Sequence, residues 1–288
     1  MLAEIFNEKS EYKNPSAFAI SKMPQRLMFK FFDAHCHLQM PQFDADRGEV
    51  LARMREKEMG GVIPGVDLAT SAAALALAKQ HDFLWAAVGL HPNDNLDEEF
   101  DAARYEELAK DPKVVAVGEC GLDYFRSGGT PEESASWRSA QKKRFEAQIE
   151  LALIVKKPLI IHCRNAHDDM LEILSDYMGN HKSLEVIIHF ATMTGELAQK
   201  YIDLGCYISF PGPITYTDMY DESIRVAPLD LILSETDSPF AAPVPNRGKR
   251  NEPAYVAEVV RKIATIKNIP LEEMARQITL NSQRVFGI

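Results

Sequence analysis

The sequence is short of three features that define common protein classes. Its four cysteines lie far apart among 288 residues, without a CxxC pair, which argues against a disulfide scaffold, a zinc finger or a redox centre. Its longest unbroken apolar run extends from Ala72 to Ala78, much less than the roughly 20 residues that span a bilayer. Basic residues are also in deficit, because 32 lysines and arginines face 42 aspartates and glutamates and the formal net charge is −10. Such a chain is unsuited to coating nucleic acid or an anionic membrane non-specifically.

The N-terminal residues lack the pattern of an export signal. A secretory signal needs a basic region followed by an apolar stretch of about 7–15 residues, but charged residues such as Glu4, Glu8 and Lys9 interrupt this segment. We therefore interpret 1–28 as an N-terminal extension and 29–288 as the folded domain. Widely spaced thiols are typical of a reducing compartment. We expect a cytoplasmic protein, and a nuclear location is compatible with the same features.

From residue 29 onward, short apolar or β-branched runs alternate with longer amphipathic stretches. The predicted strands are 29–38, 61–66, 83–90, 114–122, 158–163, 184–190, 206–210 and 229–237. The predicted helices are 45–58, 70–80, 97–110, 134–155, 166–177, 194–204 and 218–226, followed by closing helices at 252–267 and 271–277. Apolar strands separated by helices are typical of a parallel sheet covered on its outer face. Eight such units, with no linker between them, predict an α/β fold consisting of a single (β/α)₈ TIM barrel.

A pair of histidines stands where the first strand should end. Chemistry in such barrels lies at the carboxyl ends of the strands. Strand alternation would turn His35 and His37 into the barrel and Cys36 toward the helices. Two neighbouring imidazoles suit a divalent metal ion. A hydrogen-bonded pair of core histidines is the alternative.

Polar side chains close four other apolar strands in the same way. Glu119 ends the fourth strand, where it could bridge two ions or form a salt bridge with a barrel arginine. His162 and His189 end the fifth and sixth strands, and each alone is also consistent with a structural histidine. Asp237 ends the eighth strand. Because buried polar groups are costly unless they bind something, we predict one site with six metal ligands: His35, His37, Glu119, His162, His189 and Asp237.

Several segments resemble the TatD-family metal-dependent deoxyribonucleases, which belong to the amidohydrolase-like metal barrels. In chain order they are DAHCHL, GLHP, GECGLDY, PLIIHCRNA, VIIHF, ISFPG, SETDSPF, RNEP and TLNSQRVFG. The similarity runs from residue 29 to the C-terminus. It implies hydrolysis of phosphodiester bonds in DNA, typically from 3′ ends, with Mg²⁺ or a similar divalent ion. It also implies metal ligation at the same six positions.

Two positions bear on this resemblance, one by departing from the family pattern and one by agreeing with it. After His189 the family usually has a short Cys-Phe-Ser/Thr-Gly-Ser segment, whereas this chain has Phe190, Ala191 and Thr192. We therefore expect different substrate contacts from that loop. Related barrels bridge their metals with a modified lysine, and Glu119 at this position favours the TatD-like branch.

These features predict hydrolysis assisted by two divalent ions, which would clamp a phosphodiester and activate water for in-line attack. One ion would be held by His35, His37 and Asp237, and the other by His162 and His189, with Glu119 as a bridging catalytic carboxylate. Asp237 is the predicted general base. Imidazole-rich ligation suits Zn²⁺, whereas the resemblance points to Mg²⁺ or Mn²⁺.

Four further side chains are predicted to contact substrate: His91, Arg164, Tyr124 and Arg250. Arg164 shares the alternation of His162 and could neutralise a phosphate through its bidentate fork. Tyr124 could stack on a base or pack inside the protein. The predicted partner is DNA, single-stranded or at 3′ ends, with no membrane or protein partner implied.

Two other functional classes are compatible with the same residues. A hydrolase of small esters, amides or phosphoesters would use the same metals with a different pocket. A barrel with a vestigial, non-catalytic site is the third class, and the presence of all six ligand types disfavours it.

Overall fold

The computed structural model describes residues 29–93, 99–125 and 130–288. The predicted N-terminal extension, 1–28, lies outside the described residues. The beginning of the helix predicted at 97–110 also lies outside them.

Eight strands form one parallel sheet, and their order across the sheet follows their order in the sequence. They are β1 (Phe31–Asp33), β2 (Met59–Pro64), β3 (Leu84–Val88), β4 (Val114–Asp123), β5 (Leu159–Arg164), β6 (Val186–Ile188), β7 (Tyr207–Phe210) and β8 (Ile232–Ser234). The first and last strands meet, because Ala34 N donates to Ser234 O at 3.0 Å and Cys36 forms a parallel bridge with Ser238. The predicted eight-stranded barrel is confirmed.

Helices cover the outside of the barrel. They are α1 (Arg47–Glu56), α2 (Leu68–Ala78), α3 (Ala102–Ala109), α4 (Pro131–Val155), α5 (His167–Asn180), α6 (Gly195–Asp203), α7 (Asp221–Val226), α8 (Val256–Lys267) and α9 (Leu271–Phe286). Helix α9 continues beyond the predicted end at 277 because later residues such as Ile278 and Val285 are buried. The ring of Phe286 stacks 6.1 Å from that of Phe32 and helps fill the interior of the barrel. Among the described helices, none has both the length and the apolar character needed to cross a bilayer.

Strands β1 and β8 end before the residues predicted to close them. His35, His37 and Asp237 therefore lie in the loops that follow these strands. The two loops are bonded to each other, since Asp237 N donates to His35 O at 2.9 Å and His37 N donates to Ser238 O at 2.8 Å. These bonds replace the regular ladder at the mouth and hold residues from both ends of the barrel side by side.

Apolar side chains fill two layers, one inside the barrel and one between the strands and the helices. Phe32 and Ile160 belong to the inner layer. Cys36 and Cys120 are buried in the outer layer, and Cys163 packs against it. The alternation of the strands therefore turns these thiols away from the barrel interior, as predicted.

Two buried glutamines of α4 fix the mouth ends of β3 and β4. Gln141 Oε1 accepts a hydrogen bond from Asp123 N at 2.8 Å, and its Nε2 donates to Asp123 O at 3.1 Å. Gln148 pairs in the same way with the backbone N and O of Leu90, at 2.7 and 3.0 Å. These bonds satisfy backbone groups that leave the ladder. They also position the residues around His91 and Asp123.

Candidate metal centre

A cavity of about 500 Å³ opens at the carboxyl ends of the strands. We call it the mouth cavity, and its lining includes His37, His91, Glu119, His162, His189 and Asp237. A larger cavity of about 760 Å³ lies at the opposite end, beside the starts of β4 and β5. Its described lining contains one carboxylate side chain, Glu185, and one imidazole, His181. Because catalysis and metal binding need convergent titratable groups, the mouth cavity is the candidate site.

Glu119 lies at the centre of this site and is buried. Its Oε2 lies 3.2 Å from His35 Nε2 and 3.6 Å from His37 Nε2. Its Oε1 lies 3.0 Å from His162 Nδ1 and 3.1 Å from His189 Nε2. The two oxygens of one carboxylate thus face two different pairs of imidazoles.

Asp237 lies beside the pair formed by His35 and His37. Its Oδ1 is 3.4 Å from His37 Nε2 and 3.7 Å from His35 Nε2. Its side chain is 14% exposed, compared with 5% for Glu119. The structure therefore brings all six predicted ligands together, with Asp237 as the more accessible of the two carboxylates.

Two of the histidines are held from outside by further carboxylates. His162 Nε2 lies 3.2 Å from Asp123 Oδ2, and His189 Nδ1 lies 3.1 Å from Glu235 Oε1. In each ring the other nitrogen faces Glu119. Such an outer hydrogen bond fixes the tautomer and orientation of an imidazole and is the usual arrangement in metal-binding histidines.

Asp123 reaches the candidate site through His162, although it is not among the ligands or substrate contacts predicted from the sequence. Strand β4 passes very close to β5 here, and Gly121 makes this possible. Gly121 has φ +136°, and a Cβ at this position would lie 2.1 Å from the carbonyl oxygen of His162. Only glycine tolerates both conditions. The alternate spacing of Glu119, Gly121 and Asp123 is the signal that could have placed Asp123 on the site's face of the strand.

The loop after His189 turns compactly without the glycine expected from the family resemblance. Phe190 itself adopts the left-handed conformation, with φ +50°. Its backbone N donates to Glu235 Oε1 at 2.8 Å, which holds this conformation in place. Non-glycine residues in this region are strained and cluster at functional sites. Phe190 also lines the mouth cavity, so this loop presents an aromatic ring to the site.

The charges of the cluster are strongly coupled. Burial disfavours charge on Glu119, but the facing imidazoles of His189 and His91 outweigh this and hold the pKa of Glu119 well below its ordinary value. Burial likewise disfavours charge on His189, but Glu119 and Glu235 hold the pKa of His189 well above its ordinary value. Burial lowers the pKa of His35, and His189 lowers it further. Without a metal ion, the cluster is therefore balanced by an ionised Glu119 beside a protonated His189.

Among the described residues, three groups of side chains have ligand atoms within 4.8 Å of one another. They are His35, His37 and Glu119; His35, His189 and Glu235; and His91, Glu119 and His162. Glu119 and His35 each take part in two of the three groups, so these two side chains connect the groups of the candidate centre.

We expect metal binding to release protons and to weaken as the pH is lowered. The raised pKa of His189 keeps its ring protonated above pH 6.5, the ordinary value for histidine, whereas a metal ion binds the neutral ring. Glu119 is already ionised and contributes no proton. Calorimetric titration with a divalent ion at about pH 7, in two buffers of different ionisation enthalpy, measures the release. Equal heats in the two buffers would contradict this expectation.

Of the residues predicted to contact substrate, His91 and Arg164 line the mouth cavity. His91 Nδ1 accepts a hydrogen bond from Asn93 N at 3.2 Å, and its Nε2 lies 3.4 Å from Glu119 Oε1. The proton of a neutral His91 ring therefore lies on Nε2, facing the carboxylate. Arg164 is exposed, and its guanidinium lies 3.6 Å from the centre of the Phe125 ring.

The structure does not bring Tyr124 to the cavity, and this prediction requires correction. Tyr124 is buried, and its hydroxyl donates to Asp169 Oδ2 at 2.6 Å on α5. Its ring also packs 6.2 Å from that of Trp137 on α4. Because Tyr124 follows Asp123 directly, alternation turns it outward toward the helices.

Arg250 is also placed differently from its prediction. Its two terminal nitrogens bind the two carboxylate oxygens of Asp46, each at 2.6 Å. Its guanidinium lies 4.7 Å from the centre of the Phe43 ring. These contacts, made with a segment about 200 residues earlier in the chain, tie the loop after β8 to the segment after β1. Arg250 therefore stabilises the mouth from outside the cavity.

Known proteins are similar to this chain in both sequence and fold. Residues 32–287 match the family described as TatD related DNase. The metal-dependent hydrolase YabD of Bacillus subtilis is 40% identical over 261 residues, covering 89% of this chain and 99% of YabD. The 3′-5′ ssDNA/RNA exonuclease TatD of Erwinia tasmaniensis is 33% identical over 267 residues, covering 89% of this chain and 100% of that protein.

A solved structure supports the same relationship. The TatD homologue YJJV from Escherichia coli superposes with a TM-score of 0.81 at 28% sequence identity, covering 91% of this chain and 99% of that one. An organophosphorus hydrolase shares the barrel at a TM-score of 0.57 and 12% identity, a likeness of fold alone. With the family match over nearly the whole described barrel and the cluster around Glu119, the chain belongs to the TatD-related DNase family of metal-dependent hydrolases.

Proposed function

We propose that this protein is a divalent-metal-dependent deoxyribonuclease that removes nucleotides from the 3′ ends of DNA by hydrolysis. The observation that carries the proposal is the position of the two Glu119 carboxylate oxygens. These oxygens face separate pairs of imidazoles, an arrangement suited to bridging two cations. The name of the Erwinia tasmaniensis relative, a 3′-5′ ssDNA/RNA exonuclease, supports the choice of substrate.

The donor atoms fit divalent ions. His35 Nε2 and His37 Nε2 lie 3.1 Å apart, and both face Glu119 Oε2. Two imidazole nitrogens converging on a carboxylate oxygen suit a shared cation. We propose that His35, His37 and Asp237 hold one ion, that His162 and His189 hold a second, and that Glu119 bridges them. The imidazoles suit Zn²⁺, and Mg²⁺ or Mn²⁺ is the expectation from the family resemblance.

Bound divalent ions would supply positive charge that polarises a phosphoryl oxygen and makes water acidic enough to attack it. Asp237 is the proposed general base, because its carboxylate is the accessible one and lines the cavity. It takes the proton of the attacking water as the new oxygen–phosphorus bond forms. The bond from phosphorus to the 3′-oxygen of the shortened strand breaks, and that oxygen takes up a proton. His91, with a proton on Nε2, is placed to keep Glu119 oriented or to donate to the phosphate.

Arg164 is proposed to bind a substrate phosphate at the rim of the cavity. Its guanidinium is stacked on Phe125, so its N–H edges stay available for a phosphate. Because Arg164 is exposed and its charge is screened, we expect Arg164→Ala to raise KM for DNA about three- to tenfold. Steady-state kinetics on an end-labelled oligonucleotide measure this effect.

Arg276→Ala on α9 removes another exposed arginine, away from the mouth cavity, and serves as the matched control. Its KM should equal that of the wild type. If Arg164→Ala lowers only the melting temperature and leaves KM unchanged, the role of Arg164 is structural.

The proposed function is tested by product analysis. End-labelled single- and double-stranded DNA, and matching RNA, are incubated with Mg²⁺, Mn²⁺ or Zn²⁺, beside a panel of chromogenic esters. Stepwise shortening of DNA from the 3′ end is the expected result. Hydrolysis of the esters without cleavage of nucleic acid would replace the proposal with a small-molecule hydrolase. The cytoplasmic location stays a prediction.

A further inference from the structure

Phe240 is a large aromatic residue exposed at the edge of the mouth cavity. Its side chain lines the cavity, yet 46% of the residue is accessible to solvent. The ring lies 6.4 Å from that of His37 and at 69° to it, so it stands beside the half of the site that contains Asp237.

The backbone of Phe240 is fixed on both sides despite this exposure. Its N donates to Asp237 O at 2.9 Å, and its O accepts from Asn251 Nδ2 at 2.7 Å. Asn251 is fully buried and also donates to Thr236 O at 2.8 Å. Because the backbone of this exposed residue is already held in place, a ligand that contacts the ring has only the side chain left to order.

A second exposed aromatic residue lies against Arg164, which lines the same cavity. Phe125 is 55% exposed and carries the stacked guanidinium of Arg164. Its backbone N donates to Asp123 Oδ1 at 2.8 Å, so it too is anchored to the site. Arg164 from β5 and Phe240 from the loop after β8 both line the mouth cavity, and their strands are three apart in the order of the barrel.

We propose that Phe240 stacks on the base of the terminal nucleotide, while Arg164 on Phe125 binds the strand at another part of the cavity. This inference rests on the proposed function and adds the residue that recognises the base. Aromatic faces stack on any base with little sequence preference. A cavity of about 500 Å³ is of the size that holds one small ligand, so one unpaired nucleotide fits it.

The test removes the ring and the base separately. Substrates are a single-stranded oligonucleotide and the same strand ending in a 3′ abasic residue. The variants are Phe240→Ala, Phe240→Tyr, which keeps the ring, and Ile154→Ala, which removes an exposed apolar side chain on α4. KM and kcat are measured with Mg²⁺, and Kd by fluorescence anisotropy in EDTA.

Loss of one stacking contact should raise KM about tenfold and leave kcat within about twofold. For the wild type, KM should therefore be about tenfold higher with the abasic strand than with the normal strand. For Phe240→Ala, KM with the normal strand should already be about tenfold higher than that of the wild type, and KM with the abasic strand should be no higher still. Phe240→Tyr and Ile154→Ala should behave as wild type.

The outcomes separate this inference from the proposed function. Wild type that cleaves both strands with equal KM, or Phe240→Ala that still distinguishes them, overturns the stacking role while the nuclease function stands. Wild type that binds the normal strand more tightly than the abasic one but cleaves neither supports the stacking role and overturns the nuclease function. Failure to bind or cleave either strand overturns both.

Discussion

Glu119→Ala should abolish divalent-dependent hydrolysis while leaving the barrel folded. The side chain provides both oxygens around which the four imidazoles are arranged, so its loss removes a ligand from each half of the proposed centre. The positive charge of bound ions contributes several kcal/mol to such reactions, so a loss of at least about 10³-fold in kcat/KM is expected. Activity assays, metal analysis of the purified variant and circular dichroism measure the three parts of this prediction.

Two further variants distinguish the role of the Glu119 charge from the loss of any buried carboxylate. Glu119→Gln keeps the size of the side chain but removes its charge and replaces one accepting oxygen with an N–H donor, and it should lose activity almost as completely. Glu252→Ala removes another buried carboxylate, which pairs with Arg53 at 2.7 Å outside the mouth cavity. It should lower the melting temperature and leave metal-dependent activity in place. Full activity in Glu119→Ala would rule out the proposed bridging role.

Asp237→Asn should lower kcat by about 10²- to 10⁴-fold, the usual contribution of a general base. The amide keeps nearly the same shape but cannot accept the proton of the attacking water. We expect KM to change much less, because Arg164 and the ligands on β5 and β6 remain in place. Single-turnover measurements with excess enzyme separate this effect on chemistry from an effect on substrate binding.

The matched control for this prediction is Asp230→Asn, which changes an exposed carboxylate outside the lining of the mouth cavity. Its kcat should equal that of the wild type. If Asp237→Asn retains more than about a tenth of the wild-type kcat, another group must accept the proton.

Much of the site follows from the sequence because a parallel barrel gathers the ends of its strands in one place. His162 and His189 each close an apolar run, and the fold alone brings both to Glu119. The two residues that the structure places away from the cavity, Tyr124 and Arg250, have different physical causes. For Tyr124 the sequence allows either base stacking or internal packing, and strand alternation and the hydroxyl contact with Asp169 decide for packing.

Contacts between distant segments account for the rest. Arg250 lies in the loop after β8, where substrate-binding residues of such barrels are expected. It binds Asp46 instead, which lies 204 residues away in the sequence. No local pattern reveals such a pairing. The extent of α9 is a similar case, since burial of Ile278, Val285 and Phe286 carries the helix beyond 277, up to Gly287, which ends it in the left-handed conformation.

The contact between the loops after β1 and β8, which we call the seam, means that the site can assemble only after nearly the whole domain has been synthesised. Asp237 N bonds to His35 O and His37 N bonds to Ser238 O, so residues from opposite ends of the domain must meet before the centre exists. A growing chain on the ribosome holds the two histidines long before Asp237 emerges, and domains fold as units. An unfinished copy of the proposed nuclease therefore lacks an assembled site while it is surrounded by nucleic acid. Once the seam forms, any ion bound across it stabilises the closed barrel by mass action.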